Sequence, residues 1–160
     1  MTESNPSISE RKKGLRQKML AMRRALSANE TESRSSSLKE NILSLLEYKN
    51  AKKIMAFLAM KGESNLDGFI RQALLDGKEV YIPVCLPERQ MEAGRLIDME
   101  HFEKGPLGLR NLPAGYEVTS PESLDLVLIP GLAVSQEGIR LGMGAGYYDR
   151  YLARVPFEKR

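Results

Sequence analysis

The stretch "LDLVLIPGLAVSQEGIRLGMGAGYYDRYLAR", Leu124 to Arg154, sets an apolar run, a glycine segment and a helix start in that order. "LDLVLIP" reads as a strand buried on both faces, because its apolar residues follow one another rather than alternate. "YYDRYLAR" opens a helix, with Asp149 in its first turn. Strand, glycine loop and helix start is the order in which α/β sheets bind ligands, beyond the carboxyl ends of their strands.

Working outward, the same alternation recurs upstream. "KKIMAFLAM" (Lys52 to Met60) is another continuous apolar run and predicts a buried strand. "LDGFIRQALLDGK" predicts a helix, with Gly77 placed to stop it. "EVYIPV" (Glu79 to Val84) predicts a second strand. "LPERQMEAGRLIDME" reads as a turn and a more exposed strand. Residues 104 to 124 are rich in proline and glycine and read as an ordered loop. Near the start, Leu15, Met19, Met22 and Leu26 fall at helical spacing and predict a core-facing stripe. Lys12, Lys13, Arg16, Arg23 and Arg24 share that helix, and the charges alone read as a solvated face. "SANE" (Ser27 to Glu30) has the form of a capping box opening a second helix, whose core stripe is Leu38, Ile42 and Leu45. Residues 1 to 8 form a polar, frayed tail. The expected fold is α/β, a single domain with a mainly parallel sheet flanked by helices.

Composition narrows the function. The chain has 160 residues, 42% apolar and 28% charged, which suits one domain with a real core. No apolar run is long enough to cross a membrane, and the start lacks a signal-peptide core, so a cytoplasmic location is expected. Cys85 is the single cysteine, which rules out a thiolate zinc cluster and an internal disulfide; at the end of "VYIPVC" it reads as a buried structural thiol. His101 is the single histidine. Any metal would therefore rest mainly on oxygen ligands, which points to magnesium. The net charge of +3 is mild and suits an anionic small ligand. There is no tryptophan, and aromatics make up only 6%, which speaks against a nucleic-acid surface. A monomer is expected.

The glycine segment raises the sharpest question. Gly142, Gly144 and Gly146 alternate with other residues, and their lack of Cβ would let a phosphate reach backbone N–H groups at a helix start. Arg140 beside the loop can make charge-assisted bonds to phosphate oxygens, and Asp149 can hold magnesium. The spacing is neither the dinucleotide pattern nor the Walker loop. The other reading is a flexible turn capped by Asp149, with Tyr147 and Tyr148 in the core rather than stacked on a ligand ring.

The string "PGLAVSQEGIRLGMGAGYYDRYL" closely resembles the signature of the 5-formyltetrahydrofolate cyclo-ligase family, also called methenyltetrahydrofolate synthetases. "RKKGLRQKMLAMRRALS" resembles the family's opening helix, and "IMAFLAMKGESN" its first strand. Members use ATP and magnesium to convert 5-formyltetrahydrofolate to 5,10-methenyltetrahydrofolate with release of ADP and phosphate. The resemblance implies that Lys12 and Arg16 reach the ATP phosphates. It implies a nucleotide loop of Arg140, Leu141, Gly142, Met143, Gly144, Ala145, Gly146, Tyr147 and Tyr148, with Arg140 and Tyr147 catalytic. Asp149 would bind magnesium. Leu58, Glu63 and the stretch Met143, Gly144, Ala145, Gly146 and Tyr147 would contact the folate.

The sequence departs from the family pattern at four places. Leu66 stands where threonine is frequent, and Ala145 where lysine or glycine is usual. "GPLGLRNLP" matches its counterpart only loosely. Members also continue past the position of Arg160 through a further strand and a late acidic residue. A missing C-terminal strand region is therefore expected, and with it a second reading: a folate- or nucleotide-binding protein with impaired turnover.

Overall fold

A computed structural model describes residues 6–105 and 109–156. The first five residues of the expected tail, residues 106–108 of the "GPLGLRNLP" stretch and residues 157–160 lie outside the described residues.

The first two helices are announced by their caps. Helix α1 (Ile8–Arg24) starts on a capping box: Ser7 Oγ accepts from the Glu10 N–H, and the Glu10 carboxylate accepts from the Ser7 N–H at 2.8 Å. Ser7 and Ile8, placed in the frayed tail by the sequence reading, therefore belong to the helix. Helix α2 (Ala28–Ser44) opens on the expected box of Ser27 and Glu30. Its Ile42 is buried and Leu38 half-buried, whereas Leu45 is exposed. One further turn, α3 (Leu46–Asn50), buries Tyr48, whose hydroxyl donates to Asp76 at 2.5 Å.

The stripe expected on α1 is a correction. No residue of this helix is buried, and Leu15 and Met22 are 44% and 58% exposed. The physical reason is what lies beneath. The half-buried face carries Arg16 and Arg23, which meet backbone carbonyls of loops and not an apolar surface.

Strands β1 (Lys53–Met55) and β2 (Glu79–Cys85) pair in parallel across the helix α4 (Asp67–Leu75), which ends before Gly77 at φ 74°. Strand β3 (Met91–Leu96) returns antiparallel to β2, and β6 (Val118–Thr119) pairs antiparallel to β3. On the other side, β7 (Leu126–Val127) pairs in parallel with β1. The sheet order is β6-β3-β2-β1-β7, a parallel centre with antiparallel additions. Between β3 and β6 the chain makes a small hairpin of β4 (Glu103–Lys104) and β5 (Arg110–Asn111), so the expected loop holds three short strands. Strand β3 is also more buried than its sequence suggested, because β6 covers its outer edge.

Side chains alternate across the central strands. Ile54, Val80, Ile82 and Val84 join the cluster under α2 and α4, around Phe69, Ile70 and Leu66. Met55 and Tyr81 point the other way and meet Met91, Ala93 and Tyr151. Tyr151 comes from α5 (Tyr147–Leu152), so helices cover both faces of the sheet. Strand β7, expected to be buried on both faces, is short and half-buried because among the described strands it pairs only with β1. Cys85, expected in the core, ends β2 as an exposed residue. Partial burial of its thiol raises its pKa, which keeps it protonated and unreactive at neutral pH.

Candidate functional site

A hairpin separates β7 from the glycine segment. Strand β8 (Ala133–Val134) pairs with β9 (Arg140–Leu141), and the turn between them closes through Gly138. Leu141 is half-buried and its carbonyl accepts from the Leu132 N–H at 2.8 Å. The glycine loop thus leaves a braced edge instead of the end of the buried strand. It runs into α5, whose N-cap is Gly146 at φ 76°.

Each of the three loop glycines has an arginine guanidinium where its side chain would be. A Cβ on Gly142 would lie 2.9 Å from Arg140 Nη1; on Gly144, 3.3 Å from Arg16 Cζ; on Gly146, 2.9 Å from Arg150 Nη1. The arginines are also bonded in place. Arg16 Nε donates to the Gly142 carbonyl at 2.9 Å. Arg150 Nη1 donates to the carbonyls of Ala145 and Gly146 at 3.0 and 3.1 Å. Arg140 donates to Asp149 at 2.6 Å and to the Pro130 carbonyl at 3.3 Å, and its guanidinium lies 5.9 Å from the Tyr148 ring centre. Three cations on one short loop, answered by a single carboxylate, leave a local positive excess that suits a polyanion.

The remaining expected residues fall around this centre. Lys12 stands exposed one turn before Arg16. Met143, Gly144 and Ala145 form the exposed crest of the loop, and Met143 is 52% exposed. Tyr147 and Tyr148 pack against the second core cluster. The Tyr148 hydroxyl is buried with no hydrogen-bond partner among the described residues. Burial raises its pKa, and the nearby Cys85 and Glu63 add to the rise, so it stays a donor.

Beside the loop a cleft of about 390 Å³ is lined by Arg23, Phe57, Glu63, Leu66, Pro130 and Gly131, among others. That size suits part or all of a small molecule. Glu63 is only 8% exposed and faces Arg23 Nη1 at 3.3 Å. Leu58 does not reach this wall; it packs half-buried against the first core cluster. Leu66 gives the cleft an apolar wall where the family pattern has a hydroxyl.

Asp149 is 75% exposed and holds Arg140. Among the described residues no three His, Cys, Asp or Glu side chains could share one metal ion. A magnesium held by the protein does not fit this donor set, and no step below runs through one. Two residues were missed by sequence reasoning. Arg150 lies one helical turn past Gly146, and Arg23 lies seven residues past Arg16, two turns along the same face. Both spacings were visible signals.

An α/β sheet covered by helices on both faces, with a glycine loop and convergent arginines at the head of α5, defines the class: a single-domain α/β enzyme with a polyanion-fitting loop. The chain belongs to the 5-formyltetrahydrofolate cyclo-ligase family, whose sequence model matches residues 8–160. It is 33% identical over 155 residues to the 5-formyltetrahydrofolate cyclo-ligase of Mus musculus, covering 92% of this chain and 76% of that protein. The probable 5-formyltetrahydrofolate cyclo-ligase of Caenorhabditis elegans is also 33% identical, over 92% of this chain and 75% of its own length. The solution structure of Aquifex aeolicus 5,10-methenyltetrahydrofolate synthetase superposes with a TM-score of 0.78 at 35% identity, covering 90% of this chain and 73% of that one. The fold expected from the sequence is therefore the observed one. No helix among the described residues is long and apolar enough to cross a membrane.

Proposed function

We propose that this chain catalyses the ATP-dependent cyclisation of 5-formyltetrahydrofolate to 5,10-methenyltetrahydrofolate. The observation that carries the reading is the set of three guanidiniums on the glycine loop, in a chain of this family.

The chemistry explains why such a loop is needed. A formamide oxygen is a poor leaving group. Attack of that oxygen on the γ-phosphorus of ATP releases ADP and leaves a phosphorylated iminium carbon. N10 of the folate then attacks the carbon and loses its proton. The carbon–oxygen bond breaks, phosphate departs with the former formyl oxygen, and the five-membered ring is closed. Nothing in this sequence needs a covalent enzyme intermediate. The protein's work is to align two substrates and neutralise transferred charge.

Roles follow from position. Arg16, Arg140 and Arg150 hold the phosphates over the loop, and Lys12 on the same helix as Arg16 adds charge at the entrance. Binding shifts Arg140 from Asp149 toward the transferred group. Tyr147 and Met143 border the junction of the two substrates, and Glu63 in the cleft accepts from the donor edge of the pterin ring. Magnesium arrives with the nucleotide. The cytoplasm is the compartment this chemistry suits, and the site is complete within one copy of the chain.

The mechanism is tested with substrate carrying ¹⁸O in the formyl group. The label is expected in released phosphate, with ADP formed only when the folate is present. Label retained in the folate, or washed out to water, would exclude phosphoryl activation.

A further inference from the structure

Arg23 sits where three separate parts of the chain meet. It belongs to α1, a helix with no buried residue, and was expected among solvated charges. Instead its side chain is only 18% exposed. Nη1 faces the Glu63 Oε1 at 3.3 Å, and Nη2 donates to the Gly131 carbonyl at 2.8 Å. The other oxygen of Glu63 accepts from the Met60 N–H at 3.1 Å. That carboxylate is therefore held at both oxygens, by a cation on one side and by its own turn on the other. The turn is tight, since Glu63 N–H also donates to the Met60 carbonyl and Gly62 takes φ 81°. A Cβ on Gly62 would lie 3.6 Å from the Arg23 stem, so the turn closes against the arginine itself.

Both ends of this arrangement line the cleft beside the glycine loop. A carboxylate this shielded from water would be costly without its cation, and a free carboxylate would have several rotamers to choose from. We propose that Arg23 is a positioning residue for folate recognition: it fixes the orientation of Glu63 toward the donor edge of the pterin and locks the Gly131 wall of the cleft. The inference rests on the proposed folate role of Glu63. It assigns to α1 two separate tasks, phosphate contact through Arg16 and folate-site geometry through Arg23. A planar guanidinium serves both acceptors at once; a lysine ammonium has no fork to span them.

The test is a double-mutant cycle on the full chain with Arg23→Met, Glu63→Gln and the pair. The readouts are the KM for 5-formyltetrahydrofolate, the KM for ATP, and folate affinity by calorimetry without ATP. Arg23→Met is expected to raise the folate KM about tenfold, the scale of losing a charge-assisted bond, and to leave the ATP KM within about twofold. The double variant is expected to be no worse than Glu63→Gln alone. Arg23→Lys is expected to fall between wild type and Arg23→Met, and it carries the test if Arg23→Met does not fold. Multiplying effects would mean that Arg23 contacts substrate directly and would overturn the inference. Equal rises in both KM values would also overturn it, because Arg23 would then merely hold α1 down. An unchanged folate KM in Arg23→Met beside a raised one in Glu63→Gln removes only this inference. A harmless Glu63→Gln removes the folate role of Glu63 and this inference with it.

Discussion

Replacing Arg16 by methionine removes one cation from the loop and keeps the length of the side chain. In the free protein Arg16 spends its Nε on the Gly142 carbonyl at 2.9 Å and lays its guanidinium against Gly144. A hydrogen bond to a charged group is worth about 1.5–3 kcal/mol. The side chain is half-buried, so screening takes the estimate to the lower part of that range. With ~1.4 kcal/mol per tenfold, ATP affinity is expected to fall by about 10- to 30-fold. Two consequences separate this from general damage. The first is that folate affinity measured without ATP stays within about twofold, because Glu63 is held by Arg23 and not by Arg16. The second concerns α1 itself. Since no residue of this helix is buried, Arg16 and Arg23 are its main polar ties to the domain. Hydrogen exchange in α1 is expected to quicken on removing Arg16, while the strand amides of β1 and β2 keep their protection. Calorimetry with ATP and exchange mass spectrometry read both. An ATP affinity within twofold of wild type would refute the assignment of the loop to phosphate.

Further outcomes follow from other parts of the site and fold. Gly144→Val should abolish ATP binding while leaving the fold intact, since φ 103° disfavours a branched side chain and its Cβ would meet Arg16; circular dichroism and calorimetry report the two halves. Arg150→Met should weaken ATP binding about tenfold, because Arg150 supplies charge beside Ala145, and unchanged affinity would return it to a helix-capping role. Glu88 and Arg89 take φ 56° and 58° in the turn between β2 and β3, so Glu88→Asn with Arg89→Gly should relieve about 1–2 kcal/mol and raise the Tm by roughly 2–8 °C. His101, hydrogen-bonded to Asp98 at 2.8 Å, has its pKa raised, while that bond holds Asp98 down at about 2. A raised histidine pKa contributes stability that is full below the ordinary value near 6.5 and is lost as pH rises through the folded value. The single histidine makes this a clean NMR titration: a midpoint above 6.5 is expected, returning to it in Asp98→Asn.

What could be read from the sequence was local or periodic. "SANE" foretold α2 because a capping box is a contact between residues three apart. "EVYIPV" foretold β2 because a strand covered on both faces needs apolar residues throughout. The failures all concern what lies opposite. Leu15 and Met22 have helical spacing, but spacing cannot say that the surface below α1 would be loop carbonyls. "LDLVLIP" is as apolar as a central strand, yet β7 pairs with β1 alone. Gly94 looked like a weak point in β3; in fact Leu112 and Tyr116 press within 2.8 Å of where its Cβ would be, so the small residue is what lets the β5–β6 segment close over the sheet. At the site, the glycines correctly announced a close approach. The groups that approach them are arginines of the chain itself, two of which, Arg16 and Arg150, lie outside the loop.

The central claim is a chemical one, and formation of product tests it most directly. The purified chain is mixed with 5-formyltetrahydrofolate, ATP and magnesium, and the absorbance of the methenyl product is followed with each component omitted in turn. The account requires product that appears only when all three are present and that falls in step with ATP affinity in the Arg16 and Gly144 variants. Binding of both substrates with no product would contradict it, and would leave these residues as the frame of a folate- and nucleotide-binding protein without turnover.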